Sequence, residues 1–161
     1  GIEFRDITSL IENPKAFHKT LIDLTSESMD FTVDTIVAIE SRGFVFGSAV
    51  ARDLEVPFVM ARKPGKLPNE TVSKEFKLEY GQTELHIQKI SPIQGRVVII
   101  DDLIATGGTA LACADLIHEN FDVAKKDILI LAVIDLPDLK GSAIIQEQGY
   151  NVKTLVEFEG E

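Results

Sequence analysis

The stretch Val97-Val98-Ile99-Ile100-Asp101-Asp102-Leu103-Ile104-Ala105-Thr106-Gly107-Gly108-Thr109 concentrates the residue types best able to do chemistry. Four apolar, β-branched positions predict a buried strand that ends in two carboxylates, after which a short loop opens a helix. The loop formed by Ala105, Thr106, Gly107, Gly108 and Thr109 reads as a phosphate cradle. Its glycines let the backbone approach a ligand closely, successive N–H groups can point into one concavity, and the helix N-terminus adds partial positive charge. The hydroxyls of Thr106 and Thr109 supply further donors. Asp101 and Asp102 would repel a phosphate, so they are expected to face another part of the same ligand, either sugar hydroxyls or a bridging Mg²⁺. Neither G-x-x-x-x-G-K-[ST] nor a G-x-G-x-x-G opening a helix occurs here, which weakens nucleotide-hydrolase and dinucleotide readings.

Such a loop needs a scaffold, and the apolar periodicity supplies one. Asn13-Pro14 reads as N-cap and first residue of a helix ending near Asp30, with Phe17, Leu21 and Leu24 as its apolar stripe. A strand is predicted over 35–39, a helix over 44–54 after the turn Ser41-Arg42-Gly43, and a strand over 56–61. Pro64, Gly65, Pro68 and Asn69 then break the pattern. Phe76, Leu78 and Tyr80 alternate, Gly81-Gln82-Thr83 reads as the turn, and Leu85 and Ile87 alternate again, so residues 63–83 are expected to form a mobile flap. Beyond the cradle, Ala110, Cys113, Ala114, Ile117 and Phe121 share one helical face. Strands follow over 128–134 and around 154–156, with a helix over 142–148 between them. Alternating strands and helices predict an α/β fold: one domain over 1–161 with a mainly parallel central sheet flanked by helices.

Composition narrows the partners. The 161 residues carry 16 Lys and Arg against 26 Asp and Glu, a net charge of −10, which argues against holding nucleic acid through counterion release. Cys113 is the sole cysteine, so it is read as core filler, and His18, His86 and His118 lack metal-ligand spacing. No apolar run approaches the roughly 18 residues of a membrane span and no basic-then-apolar leader is evident, so no membrane partner and a cytoplasmic placement are expected.

Four apolar residues, Asp-Asp, two apolar residues and A-T-G-G-T resemble the phosphoribosyl-pyrophosphate (PRPP) motif of type I phosphoribosyltransferases. GIEFRDIT at the start of the chain, ESRGFVFG from Glu40, ARKPGKLP from Ala61 and LEYG from Leu78 agree in order with the adenine branch of that family. The resemblance implies an enzyme of purine salvage that transfers ribose 5-phosphate from PRPP to N9 of adenine, giving AMP and pyrophosphate with Mg²⁺. It implies that Ala105, Thr106, Gly107, Gly108 and Thr109 hold the 5′-phosphate and that Asp101 and Asp102 address the ribose. Arg42, Arg62, Lys63 and Lys66 are implied at the pyrophosphate, Arg62 also as a catalytic group. Glu79 is implied as the catalytic acid/base, with Tyr80 helping the flap to close. Phe4 and Leu136 would sandwich adenine, with Arg5 alongside and the backbone of Glu3 reading its edge. The metal would come with PRPP and take no ligand directly from the protein. A homodimer is implied, in which some flap-adjacent cations serve the neighbouring subunit. Family members carry a leader helix before the G-I-x-F-R-D segment, and the chain is read as lacking it.

Overall fold

The computed structural model describes residues 7–78 and 80–159. Among them, five strands form one parallel sheet: β1 (Thr35–Ile39), β2 (Phe58–Ala61), β5 (Val97–Ile104), β6 (Ile128–Asp135) and β7 (Asn151–Glu157), in the order β2-β1-β5-β6-β7. Two more, β3 (Thr71–Leu78) and β4 (Gly81–Gln88), pair antiparallel as a separate hairpin. Parallel neighbours require crossovers. Helix α3 (Arg42–Leu54) joins β1 to β2, α4 (Gly108–Asn120) joins β5 to β6, and α5 (Gly141–Glu147) joins β6 to β7. Helices α1 (Thr8–Glu12) and α2 (Pro14–Asp30) precede the sheet.

The burial pattern explains why these segments extend. All five residues of β1 and all eight of β6 are buried, as continuous apolar runs covered on both faces should be. On one face Leu24 of α2 and Phe46 and Val50 of α3 pack over Ile36, Val98, Ile100 and Leu131. On the other, Cys113, Leu116 and Ile117 of α4 and Ile145 of α5 pack with Val37, Ile99 and Ile130. Leu85 and Ile87 of the hairpin join this second core. Complete burial of a side chain such as Phe46 is worth about 1.5–3 kcal/mol relative to exposure.

Asn13 caps α2 as the sequence suggests, its Oδ1 accepting from the Ala16 N–H at 3.1 Å. Elsewhere the structure departs from the periodicity. Helix α3 starts at Arg42, two residues before the expected 44, and β2 starts at Phe58, so Val56 and Pro57 lie outside it. Gly81, Gln82 and Thr83 do not form the hairpin turn: they pair with Leu78, Lys77 and Phe76, and the chain reverses between Leu78 and Gly81. The hairpin runs to Gln88, and its base is packed, with Val72 and Phe76 against the α4 core and Lys74 Nζ 2.5 Å from Glu119 Oε1. Most consequential, β5 does not end at the carboxylates. It continues through Asp101 and Asp102 to Ile104, because β6 keeps pairing with it, Leu103 opposite Ile134 and Ile104 opposite Asp135.

Connections from β1 and β5 leave in opposite directions, one toward β2 and the other toward β6. The crevice at the carboxyl ends of two such strands is where open parallel sheets bind ligands. Ile39 and Ile104 end there.

Candidate active site

A cleft of about 260 Å³ opens at that switch point, lined by residues 39–42 after β1 and 101–110 at the end of β5. It gathers Arg42, Asp101, Asp102 and all five cradle residues, which sequence reasoning had grouped by resemblance. Two helix N-termini meet here, α3 beginning at Arg42 and α4 at Gly108, and both present their positive ends to the cleft.

The cradle's shape depends on glycine. Gly107 caps α4 with φ +86°, a left-handed conformation that other residues adopt only at a cost, and its carbonyl accepts from the Leu111 N–H at 2.9 Å. A Cβ at Gly107 would come within 3.0 Å of Gly141 Cα and of the Gly141 carbonyl oxygen. A Cβ at Gly108 would meet only the Lys77 carbonyl oxygen, at 3.8 Å, so that face is open toward the hairpin. Thr106 is exposed while Gly107 behind it is buried. Gly43 performs a second close approach: a Cβ there would lie 2.7 Å from the Ile100 carbonyl oxygen. The first turn of α3, carrying Arg42, can therefore press onto β5 beside the carboxylates.

The acidic floor is asymmetric. The Asp102 side chain is 4% exposed and lies 2.8 Å, through Oδ2, from Arg42 Nε. That contact is a charge pair rather than an aligned hydrogen bond, and Oδ2 is buried beneath it. Asp101 Oδ1 accepts from the Asp102 N–H at 2.8 Å. Burial, then the adjacent Asp102 charge, push the Asp101 carboxyl well above the usual carboxylate range, against a weaker pull from Arg42.

The rim is built differently. Arg62, just beyond β2, donates from Nε to Glu40 Oε1 at 2.8 Å, and the Lys63 N–H reaches the same oxygen at 3.4 Å. Burial raises the Glu40 pKa, yet the Arg62 hydrogen bond, the Lys63 N–H and both positive charges outweigh it and hold the carboxyl below its ordinary value. Arg62 also sits 5.9 Å over the Phe44 ring, and its backbone exchanges hydrogen bonds with His86 of β4. Glu40 lines the cleft, so this pair anchors Arg62 at its edge. Lys63 and Lys66 are exposed and do not line the cleft.

Other expected residues stand apart. Leu136 follows β6 as a residue 4% exposed, packed in the same core cluster as Ile7, and its N–H donates to the Ile104 carbonyl at 3.0 Å. The structure does not bring it into the cleft lining. Tyr80 is 88% exposed at the end of the hairpin. Glu3, Phe4, Arg5 and Glu79 lie outside the described residues. Sequence reasoning missed two contributors. Glu40 opens the ESRGF stretch yet received no role, and Gly141, 34 positions beyond Gly107, carried no local signal of its approach to the cradle.

Residues 9–140 match the model of the phosphoribosyl transferase domain. An adenine phosphoribosyltransferase of Nitrosospira multiformis is 46% identical over 162 aligned residues, covering 99% of this chain and 90% of the relative. The crystal structure of adenine phosphoribosyltransferase from Thermoanaerobacter pseudethanolicus superposes with a TM-score of 0.88 at 42% identity, over 98% of this chain and 90% of that one. The Giardia lamblia enzyme, complexed with 9-deazaadenine, gives a TM-score of 0.91 at 31% identity, over 99% and 89% of the two chains. Identity of this order over nearly the whole chain, with the matching domain model and close structural superposition, means that the chain belongs to the adenine phosphoribosyltransferase family, within the phosphoribosyl transferase domain proteins.

Proposed function

We propose that the cleft performs the family's purine-salvage reaction through an assigned set of residues, the observation carrying this reading being the left-handed Gly107 turn at the N-terminus of α4 beside Asp101 and Asp102. Adenine N9 forms a bond to C1′ of PRPP, the bond from C1′ to pyrophosphate breaks, and the purine proton leaves. Pyrophosphate carries away the electron pair. The sugar passes through an oxocarbenium-like state, so catalysis is chiefly orientation and charge placement. The amides of loop 105–109 and the Thr106 and Thr109 hydroxyls hold the 5′-phosphate. Asp101 and Asp102 accept from the ribose hydroxyls, a role supported by their both lining the cleft. Arg42 and Arg62 receive the growing negative charge of pyrophosphate, with Lys63 and Lys66 adding attraction from the rim.

By the family resemblance, Glu79 moves the purine proton as the hairpin closes, and Phe4, Arg5, Glu3 and Leu136 form the adenine pocket. The complex of the Giardia lamblia relative with 9-deazaadenine supports adenine as the base. Residues 63–83 serve as the flap. The Lys74–Glu119 pair holds its base on α4, which leaves closure to the distal end around Leu78 and Tyr80.

Among the described residues, no group of three or more His, Cys, Asp or Glu is placed to hold a metal by itself. By the family resemblance, a Mg²⁺ ion would arrive with PRPP, with Asp101 and Asp102 as the cleft carboxylates able to face it. When bound it supplies neutralisation of the pyrophosphate charge. A cytoplasmic homodimer completes the proposal. No helix among the described residues is long and apolar enough to cross a membrane, and the dimer rests on the resemblance.

Steady-state assays with adenine, hypoxanthine, guanine and orotate test the base. Adenine alone should turn over with PRPP; turnover of another base with adenine inert would overturn the reading.

A further inference from the structure

The cradle has a floor that none of its own residues provides. Gly141, first residue of α5, lies buried against the loop from behind. A Cβ built at Gly141 would meet the Ala105 carbonyl oxygen at 2.4 Å, the Gly107 nitrogen at 2.8 Å and the Thr106 carbonyl carbon at 2.8 Å. The reverse test gives the same answer, since a Cβ at Gly107 would lie 3.0 Å from Gly141 Cα. Two backbones thus touch with no side chain between them. All three atoms met by the Gly141 Cβ are backbone, so no rotamer change relieves the contact. The loop would have to move.

Gly141 does not need its own conformational freedom. Its φ is outside the left-handed range, and the left-handed turn before α5 is made by Lys140 at φ +62°. Alanine suits a helical position at least as well as glycine does. What glycine gives here is proximity alone.

We propose that Gly141 is a positioning residue for the 5′-phosphate subsite. By admitting the α5 backbone directly behind Ala105, Thr106 and Gly107, it fixes the direction in which the cradle amides point. The inference rests on the reading of loop 105–109 as the phosphate cradle. A misplacement of about 1 Å in such a preorganised site lowers function by roughly two orders of magnitude. A small shift forced by one methyl group should therefore be felt in ligand binding before it is felt in stability.

The test is Gly141→Ala, titrated calorimetrically with ribose 5-phosphate and, separately, with inorganic pyrophosphate in the presence of Mg²⁺. Ribose 5-phosphate affinity should fall roughly tenfold or more while pyrophosphate affinity stays within about twofold. The double variant Thr106→Ala/Thr109→Ala is the control for the cradle itself. If that control loses ribose 5-phosphate affinity and Gly141→Ala does not, the positioning role is wrong. If neither loses affinity, the cradle reading fails and the inference with it. Equal losses for both ligands in Gly141→Ala would mark general damage and would also overturn the proposal. A second measurement needs no variant: in the unsubstituted ¹⁵N-labelled protein, the Gly141 amide resonance should shift on adding ribose 5-phosphate but not pyrophosphate. A silent Gly141 would contradict it.

Discussion

In the proposed reading loop 105–109 would meet its ligand mainly with backbone, which is fixed by strand pairing at Ile104, by the α4 cap at Gly107 and by Gly141 pressed behind it. The opposite rim offers side chains, with Arg62 tied to Glu40 and Lys63 and Lys66 standing exposed on a segment rich in turn formers. Backbone donors held in this way are already oriented before the ligand arrives, whereas long cationic side chains must be ordered by it. The difference fits the proposed reaction. A 5′-phosphate keeps its charge throughout and can be met by fixed dipoles, while pyrophosphate gains charge and then departs. Glu40 adds a further contrast, because an anchored Arg62 is partly preorganised in a way that the two lysines are not.

Substitutions should separate the two regions, the largest effect coming from the fixed one. Gly107→Val places a β-branched residue at positive φ, at about 1–3 kcal/mol of strain, and adds the clash with Gly141, so ribose 5-phosphate affinity should drop about 100-fold or more. Calorimetry checks this, and unchanged affinity would mean that the backbone does not build the site. Next in size, Glu79→Ala should lower kcat about 100-fold with PRPP affinity nearly intact. Kinetics showing equal kcat would remove Glu79 from the chemistry. On the rim, Arg62→Ala should weaken pyrophosphate roughly tenfold and leave ribose 5-phosphate unaffected. A loss on both ligands would erase the distinction between the two ends.

The acidic floor carries a stability prediction. Asp101 binds its proton more tightly when folded, so the fold loses stability as pH rises from the ordinary carboxyl value of 3.8 toward the raised one. At neutral pH that cost is present, and Asp101→Asn should raise the melting temperature of the ligand-free protein, more at pH 7 than at pH 4. Scanning calorimetry at the two pH values checks the sign. Smallest of all, Lys66→Ala should cost about 0.2–1 kcal/mol of pyrophosphate binding and nothing measurable at high salt. A large, salt-independent loss would place Lys66 inside the site rather than on its rim.

The parts of the site that could be read from sequence are those whose causes are local. An apolar β-branched run, a glycine pair and two hydroxyls within five positions give a strand, a cradle and a helix start without reference to the rest of the chain. The parts that escaped are set by distant partners. Strand β5 runs on through Asp101 and Asp102 because β6 is long enough to pair with it. The hairpin register puts Gly81 opposite Leu78, although Gly81-Gln82-Thr83 has the composition of a turn. Gly141 matters only because α5 folds back onto a loop 34 residues earlier, and Glu40 because β2 delivers Arg62 beside it. Leu136 carries no local signal of its own: its expected place at the adenine rests on resemblance, and the structure adds that it is buried in the same cluster as Ile7.

The most direct test of the backbone-built cradle follows the amides themselves. Titration of ¹⁵N-labelled protein with ribose 5-phosphate should produce its largest shifts at Thr106, Gly107, Gly108 and Thr109, with smaller ones at Asp101 and Asp102. Largest shifts near Arg62 and Lys66, with the loop amides silent, would contradict it.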